Sequence, residues 1–264
     1  KATSESHAEV GDRGSEPLRV NGKELKAKIF GEGGNLGCTQ RGRIEFAMNG
    51  GQINTDFVDN VGGVTCSDNE VNIKILLNTL VAGGDLTLKQ RNKILFEMTD
   101  DVAAIVIKDC YRQTQSISVS SLLGAEQLKE YTRFIHTLEK EGKLNRELEF
   151  LPSDDELAER MAKGQGLTRP ELSILTAYGK MVLKEQLVTP EVSDNAFFKQ
   201  ELIGAFPKVL QERYVTQMEN HPLKAEIIAT KLANMLVNDM GANFAHRMME
   251  ETGSTVAEVI ISYT

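Results

Sequence analysis

The sequence predicts a chain in two parts, a short α/β segment followed by a longer all-helical region, and predominantly helical as a whole. Three observations carry this expectation. Short alternating stretches run into clusters of glycine and asparagine within the first 67 residues. From about residue 70, apolar side chains recur at three- and four-residue spacing. Ser/Thr-initiated capping sequences then punctuate the remainder.

Residues 1–24 are polar and aperiodic and are expected to form a loop or frayed end. Residues 25–30 alternate apolar side chains with lysine, as a strand does, and lead into Gly31-Glu32-Gly33-Gly34-Asn35-Leu36-Gly37. That density of glycine lets a backbone turn sharply and come close to a bound group. Residues 43–48 place Ile44, Phe46 and Met48 on one face of a second strand. Asn49-Gly50-Gly51 then supplies hairpin chemistry, residues 52–58 return as a strand, and Gly62-Gly63 follows.

Val71, Ile75, Leu76 and Leu80 have helical spacing that stops at Gly83-Gly84. Thr87 caps the next helix, and Thr99-Asp100-Asp101 starts another, continuing as a buried helix over 102–111. The Ser-rich stretch 116–123 reads as a junction, so the expected division is 1–115 and 116–264. Beyond it Leu128, Tyr131, Ile135 and Leu138 line one helical stripe, and Ser153–Glu156 and Thr168–Glu171 are capping boxes. Further helices are expected over 194–205, 207–220, 222–240, 243–251 and from 254 to the end. The absence of an initiator Met, and an apolar helix running to the last residues, suggest a piece of a longer polypeptide.

Composition removes several classes of function. A net charge of −8 over 264 residues, without a basic block, argues against sequence-independent nucleic-acid binding. The apolar runs are far shorter than the ~20 residues of a membrane span. Cys38, Cys66 and Cys110 are widely spaced, odd in number and without histidines at metal spacing, so a disulfide scaffold or zinc site is not expected, and a reducing cytoplasm is the natural compartment. His7, His136, His221 and His246 are scattered and form no metal or catalytic motif. Cys66-Ser67 lacks a nearby base or a nucleophile elbow. Asp100-Asp101 and Asp154-Asp155 sit where helix starts favour acids.

The glycine-rich junctions are more informative. Residues 31–37 are not a GxGxxG, because Leu36 stands where the third glycine would be. Yet Asn60-Val61-Gly62-Gly63 repeats the theme after the next strand. Two such junctions would lie together at the carboxyl edge of a sheet, where open α/β sheets bind ligands. Asparagine offers both a donor and an acceptor, suiting a carboxamide or a ribose hydroxyl. From residues alone, the pair is either a nucleotide or small-ligand edge or two structural turns.

The run Gly31-Glu32-Gly33-Gly34-Asn35 resembles the A-E-G-A-N segment of the glutamate dehydrogenase superfamily, and 60–67 is similar to its N-A-G-G-V-x-x-S segment. Gly42-Arg43-Ile44-Glu45, Asn54-Thr55-Asp56, Cys66-Ser67-Asp68 and Glu70-Val71-Asn72-Ile73-Lys74 extend the resemblance to the long-chain NAD-specific enzymes of bacteria, and it covers essentially the whole chain. It implies that residues 1–115 are the C-terminal part of a Rossmann-type NAD-binding domain and 116–264 a helical C-terminal domain. It also implies that Asn35 and Asn60 face the nicotinamide-ribose end of NAD, approached past Gly33 and Gly62, and that Ser67, at the start of the following helix, holds the distal carboxylate of glutamate. Gly34 and Val61 replace alanines of the superfamily pattern. The catalytic lysine and aspartate and the ribose-reading acid have no counterpart here and belong upstream, so the isolated chain is expected to be inactive. The implied partners are L-glutamate, 2-oxoglutarate, the missing N-terminal portion of the same chain and further copies of it in a homo-oligomer. The alternative is a helical interaction or oligomerisation module with no ligand chemistry, its adaptable surface the cluster Met235, Met240, Met248 and Met249.

Overall fold

The computed structural model describes residues 1–264. Two strands, β1 (Ile29–Phe30) and β2 (Gln52–Ile53), accompany ten helices of eight or more residues. These are α1 (Gln40–Met48), α2 (Val61–Ala82), α3 (Leu88–Glu97), α4 (Thr99–Leu123), α5 (Leu128–Lys140), α6 (Asp154–Ala162), α7 (Arg169–Leu187), α8 (Lys224–Met240), α9 (Phe244–Thr252) and α10 (Val256–Tyr263). The protein is predominantly helical. No helix is long and apolar enough to cross a membrane. The chain forms two compact units, one from Lys1–Asn60, Gln113–Gly179 and Gly241–Arg247, the other from Val61–Arg112, Lys180–Met240 and Met248–Thr264.

In the first unit the N-terminal residues are ordered rather than frayed. The Gly22 amide donates to the Lys1 carbonyl at 2.8 Å, and the Lys1 ammonium donates to the Glu5 carbonyl and Asn21 Oδ1, both at 2.7 Å. Ser6 and Glu9 close a capping box around the turn His7–Val10. Polar residues thus serve as the arm's fasteners, which a hydrophobic pattern does not register.

The expected hairpin is instead a parallel strand–helix–strand. β1 pairs with β2 in parallel, Ile29 opposite Gln52 and Phe30 opposite Ile53, and α1 makes the connection. Parallel neighbours require such a crossover. The expected strand over 43–48 is helical: Thr39 Oγ1 accepts from the Gly42 amide at 3.0 Å, and Gly42, Arg43 and Phe46 form the buried face. Asn49-Gly50-Gly51 closes this helix, with Gly50 at φ +87° and the Gly51 amide on the Phe46 carbonyl at 3.0 Å. The strands are shorter than expected, 29–30 and 52–53, and Asp56–Asp59 is a helical turn.

The rest of this unit follows its caps and stripes. Leu128, Tyr131, Ile135 and Leu138 are buried on one face of α5, each contributing about 1.5–3 kcal/mol relative to exposure. The Ser153 amide donates to Glu156 Oε2, and the Thr168 amide to Glu171 Oε2, each at 2.7 Å. The Ser-rich stretch 116–123 is the end of the 25-residue helix α4 rather than a linker, and its Ser116 and Ile117 are buried.

In the second unit Ile73, Leu76, Leu77 and Leu80 of α2 are buried, as are Leu232 and Leu236 of α8. Gly84, at φ +81°, follows α2 as its stop signal requires. Over 102–111, α4 alternates half-buried with exposed positions and is not the buried helix expected. The helices expected over 194–205 and 207–220 are broken into Lys199–Gly204, Lys208–Gln211 and Val215–Glu219, with Pro207 and a non-helical Tyr214 (φ −132°, ψ 33°) at the breaks. Met235, Met248 and Met249 are half-buried and Met240 is exposed.

His221, 4% exposed, is a buried fastener of this unit. Its Nδ1 accepts from the Leu223 amide at 3.0 Å, so Nε2 carries the proton and donates to the Asn72 carbonyl at 3.1 Å. Burial pushes its pKa below the ordinary histidine value. Below pH about 6.5 the unfolded chain therefore binds more protons than the folded one. Stability is lost as pH falls through that range, and thermal unfolding between pH 7.5 and 5 should show the slope reduced in His221→Gln.

Candidate functional site

The loop after β1 is held from beneath by a buried ion pair. Phe30 meets Phe46 of α1 edge-on at 6.4 Å, fixing where the loop leaves the strand. Glu32, 3% exposed, turns inward and receives Arg43 Nε at 2.7 Å and Arg43 Nη2 at 2.8 Å. Its Oε1 also accepts from the Cys38 amide at 2.8 Å, so one carboxylate closes the loop on itself. Arg43 stands 3.4 Å from Asp56 as well. Burial opposes its charge, but the hydrogen bonds and charge of Glu32, with Asp56, outweigh this and raise its pKa. The Cys38 thiol is pushed up by burial and by the Glu32 charge.

Two carboxylates after β2 grip the same loop, and Asn54 braces one of them. Asp59 Oδ2 accepts from the Glu32 amide at 2.8 Å, and Asp56 Oδ2 from the Leu36 amide at 2.9 Å. Asn54 Nδ2 donates to Asp59 Oδ1 at 2.8 Å, and Asn54 Oδ1 accepts from Arg169 Nε at 3.0 Å. The grip holds Leu36 in the left-handed region, φ +63°, with its side chain 85% exposed. A non-glycine residue there costs about 1–2 kcal/mol.

On this platform the two asparagines meet. Asn60 Nδ2 donates to Asn35 Oδ1 at 3.0 Å, at the surface. Cβ atoms built on Gly31, Gly33 and Gly34 would find no heavy atom within 4 Å, so the loop's outer side is open. Gly62 lies elsewhere than expected: it belongs to the first turn of α2, where a Cβ would touch Cys110 Sγ at 3.5 Å. Ser67 is not at a helix start. It lies inside α2, which begins at Val61, is exposed, and donates to the Gly63 carbonyl at 3.0 Å. No group of three or more His, Cys, Asp or Glu is placed to hold a metal.

Glu32, Arg43, Asp56, Asp59 and Arg169 escape a reading based on apolar periodicity. Glu32, Arg43, Asp56 and Asp59 have one local signal, their crowding around the two glycine-rich junctions; Arg169, 115 residues from Asn54 along the chain, has none. His136 and Asp154, eighteen residues apart, are paired at 2.8 Å, with Arg146 also on Asp154 at 2.8 Å. His136 and Asp154 are exposed while the Arg146 side chain is largely buried, and the trio acts as a helix-end tie.

The family model for the catalytic domain of bacterial NAD-glutamate dehydrogenase matches residues 1–120. The model for the glutamate dehydrogenase C-terminal region matches residues 164–264. The NAD-specific glutamate dehydrogenase of Pseudomonas aeruginosa is 52% identical over 263 residues, covering 100% of this chain and 16% of that protein. Its namesakes from Halomonas elongata and Mycobacterium tuberculosis are 50% and 44% identical over the same span. The chain thus spans 16% of the length of these relatives. Two family models that together match residues 1–120 and 164–264, and 44–52% identity along its whole length, make this chain similar throughout to a segment of the bacterial NAD-specific glutamate dehydrogenases.

Proposed function

We propose that this chain supplies one wall of the NAD and substrate cleft of an NAD-dependent glutamate dehydrogenase, which oxidatively deaminates L-glutamate to 2-oxoglutarate and ammonia. The observation that carries the reading is the 3.0 Å contact between the Asn35 and Asn60 amides beside an open glycine loop. The residues fit the cofactor. Their mutual bond leaves Asn35 two amide protons and Asn60 a carbonyl oxygen, a donor and an acceptor for a carboxamide or ribose hydroxyls. Gly33 lets the loop be approached closely, and Gly62 keeps the first turn of α2 free of side chain. A bound nicotinamide would supply the hydride acceptor. The chain's own part is to orient it through Asn35 and Asn60, on a loop held rigid by Glu32 and Arg43. Ser67 is proposed for the distal carboxylate of glutamate, its hydroxyl exchanging the Gly63 carbonyl for the ligand.

The parallel β1–α1–β2 unit supports reading residues 1–115 as the last part of a Rossmann-type domain, since doubly wound sheets repeat that unit. Residues 116–264 are then the helical C-terminal domain, which the change of family model between 120 and 164 supports. The catalytic residues would come from the preceding portion of the polypeptide, in a cytoplasmic homo-oligomer. In that parent protein, Asn35→Ala and Asn60→Ala should each lower kcat/KM for NAD about tenfold, roughly one ligand hydrogen bond. Melting temperature should not change, because both amides are at the surface. Values within twofold of the unsubstituted protein for both variants would refute the assignment.

A further inference from the structure

The first unit contains a cleft of about 540 Å³ between the end of α1, the last turns of α4 and the start of α7. Its charged wall residues are Arg160 and Arg169; no carboxylate lines it. Arg160 is neutralised in place, its guanidinium bonded twice to buried Glu171 at 2.7 and 2.8 Å. Arg169 is not. Its hydrogen bonds go to neutral oxygens, Asn54 Oδ1 at 3.0 Å and Ser118 Oγ at 2.9 Å. Five N–H donors on a guanidinium leave it able to bind an anion with the rest of the fork. Half-burial makes an unneutralised guanidinium costly, and the burial lowers its pKa although the charge of Asp59 acts to raise it.

Around Arg169 the cleft offers further small donors. Ser121 and Gln165 stand on its walls, and the Gly50–Gly51 backbone lines it without side chains. Ser118 Oγ donates to the Thr114 carbonyl at 2.9 Å while accepting from Arg169, which fixes the guanidinium's plane. Arg169 reaches the platform under the Asn35–Asn60 edge only through Asn54, and Ser121, Gln165 and Gly50–Gly51 take no part in it. We propose that this cleft binds a small oxyanion, a carboxylate or phosphate group, on Arg169 with Ser121 and Gln165, as a site separate from the cofactor wall. The Arg169 guanidinium and the absence of a lining carboxylate select an anion over a cationic guest.

Calorimetric titration of the parent protein with inorganic phosphate and, separately, with succinate tests this, at constant ionic strength set by chloride. At least one probe should bind saturably in the presence of chloride. Binding of phosphate alone identifies a phosphate group, and of succinate alone a carboxylate. Ser121→Asp places a like charge in the cleft without touching the Arg169 hydrogen bonds, and should raise the Kd at least tenfold with an unchanged circular-dichroism spectrum. Arg169→Gln should do the same; if it fails to fold, Ser121→Asp decides. Absence of saturable binding by both probes, or a Kd within twofold of the original in Ser121→Asp, would overturn the proposal.

Discussion

Arg43→Met should destabilise the protein by about 3–5 kcal/mol, measured by chemical denaturation, because it strands a buried carboxylate. Glu32 would lose both guanidinium bonds and keep only the Cys38 amide. The reverse change, Glu32→Gln, is milder. It keeps the shape and an acceptor oxygen, and Arg43 retains Asp56 at 3.4 Å and Gln40 Oε1 at 3.2 Å. Combining the two should recover part of the loss, since neither buried group is then an unpaired ion. The order of the three variants separates a buried-charge effect from simple loss of packing. If Arg43→Met costs less than Glu32→Gln, the ion pair is not what holds the loop.

That ordering bears on the cofactor wall, because the loop bearing Asn35 has little else inside it. Gly31, Gly33 and Gly34 contribute no side-chain packing and Leu36 points outward. Its geometry comes from three carboxylates, Glu32, Asp56 and Asp59, each accepting from a loop amide. Charge-assisted bonds of this kind are about twice as strong as neutral ones. A rigid loop lets the Asn35 amide meet a ligand without first being ordered.

The meeting of Asn35 with Asn60 was legible because both follow strands, Asn60 after the turn Asp56–Asp59, and parallel neighbours bring such ends together. The helical stripe of α5 and the caps at Thr87 and Ser153 were legible for a similar reason: each is written in residues three or four apart. The segment 43–48 was not. Ile44, Phe46 and Met48 alternate as a strand would, but Ile44 and Met48 are also one helical turn apart, and six residues cannot separate the two periods. What decides it is Thr39 at the cap and the burial of Arg43, and that burial depends on Glu32 eleven residues earlier. Ser116 misleads for the same reason, being polar yet buried. Hydrophobic patterns see apolar cores; the polar interior under this loop is invisible to them.

Gly179→Ala should destabilise by about 2–3 kcal/mol, against the ordinary rule for such a change. In a helix interior, alanine is favoured over glycine by about 1 kcal/mol. Gly179 lies within α7, and on propensity alone the substitution should stabilise. But a Cβ there would stand 2.6 Å from the Ala242 carbonyl oxygen and 3.3 Å from the Ala242 carbonyl carbon and Cα. These are backbone atoms, so no rotamer change relieves the overlap; the turn after Gly241 or the helix itself must move. Close-packed interiors resist such shifts. Gly204→Ala is the matched control, since nothing lies within 4 Å of its Cβ position and its φ is not left-handed. It should be neutral or stabilising by up to ~1 kcal/mol. Denaturation midpoints moving in opposite directions would locate the effect in the contact at Ala242; a Gly179→Ala protein as stable as the original would mean that α7 and this turn are not packed backbone to backbone.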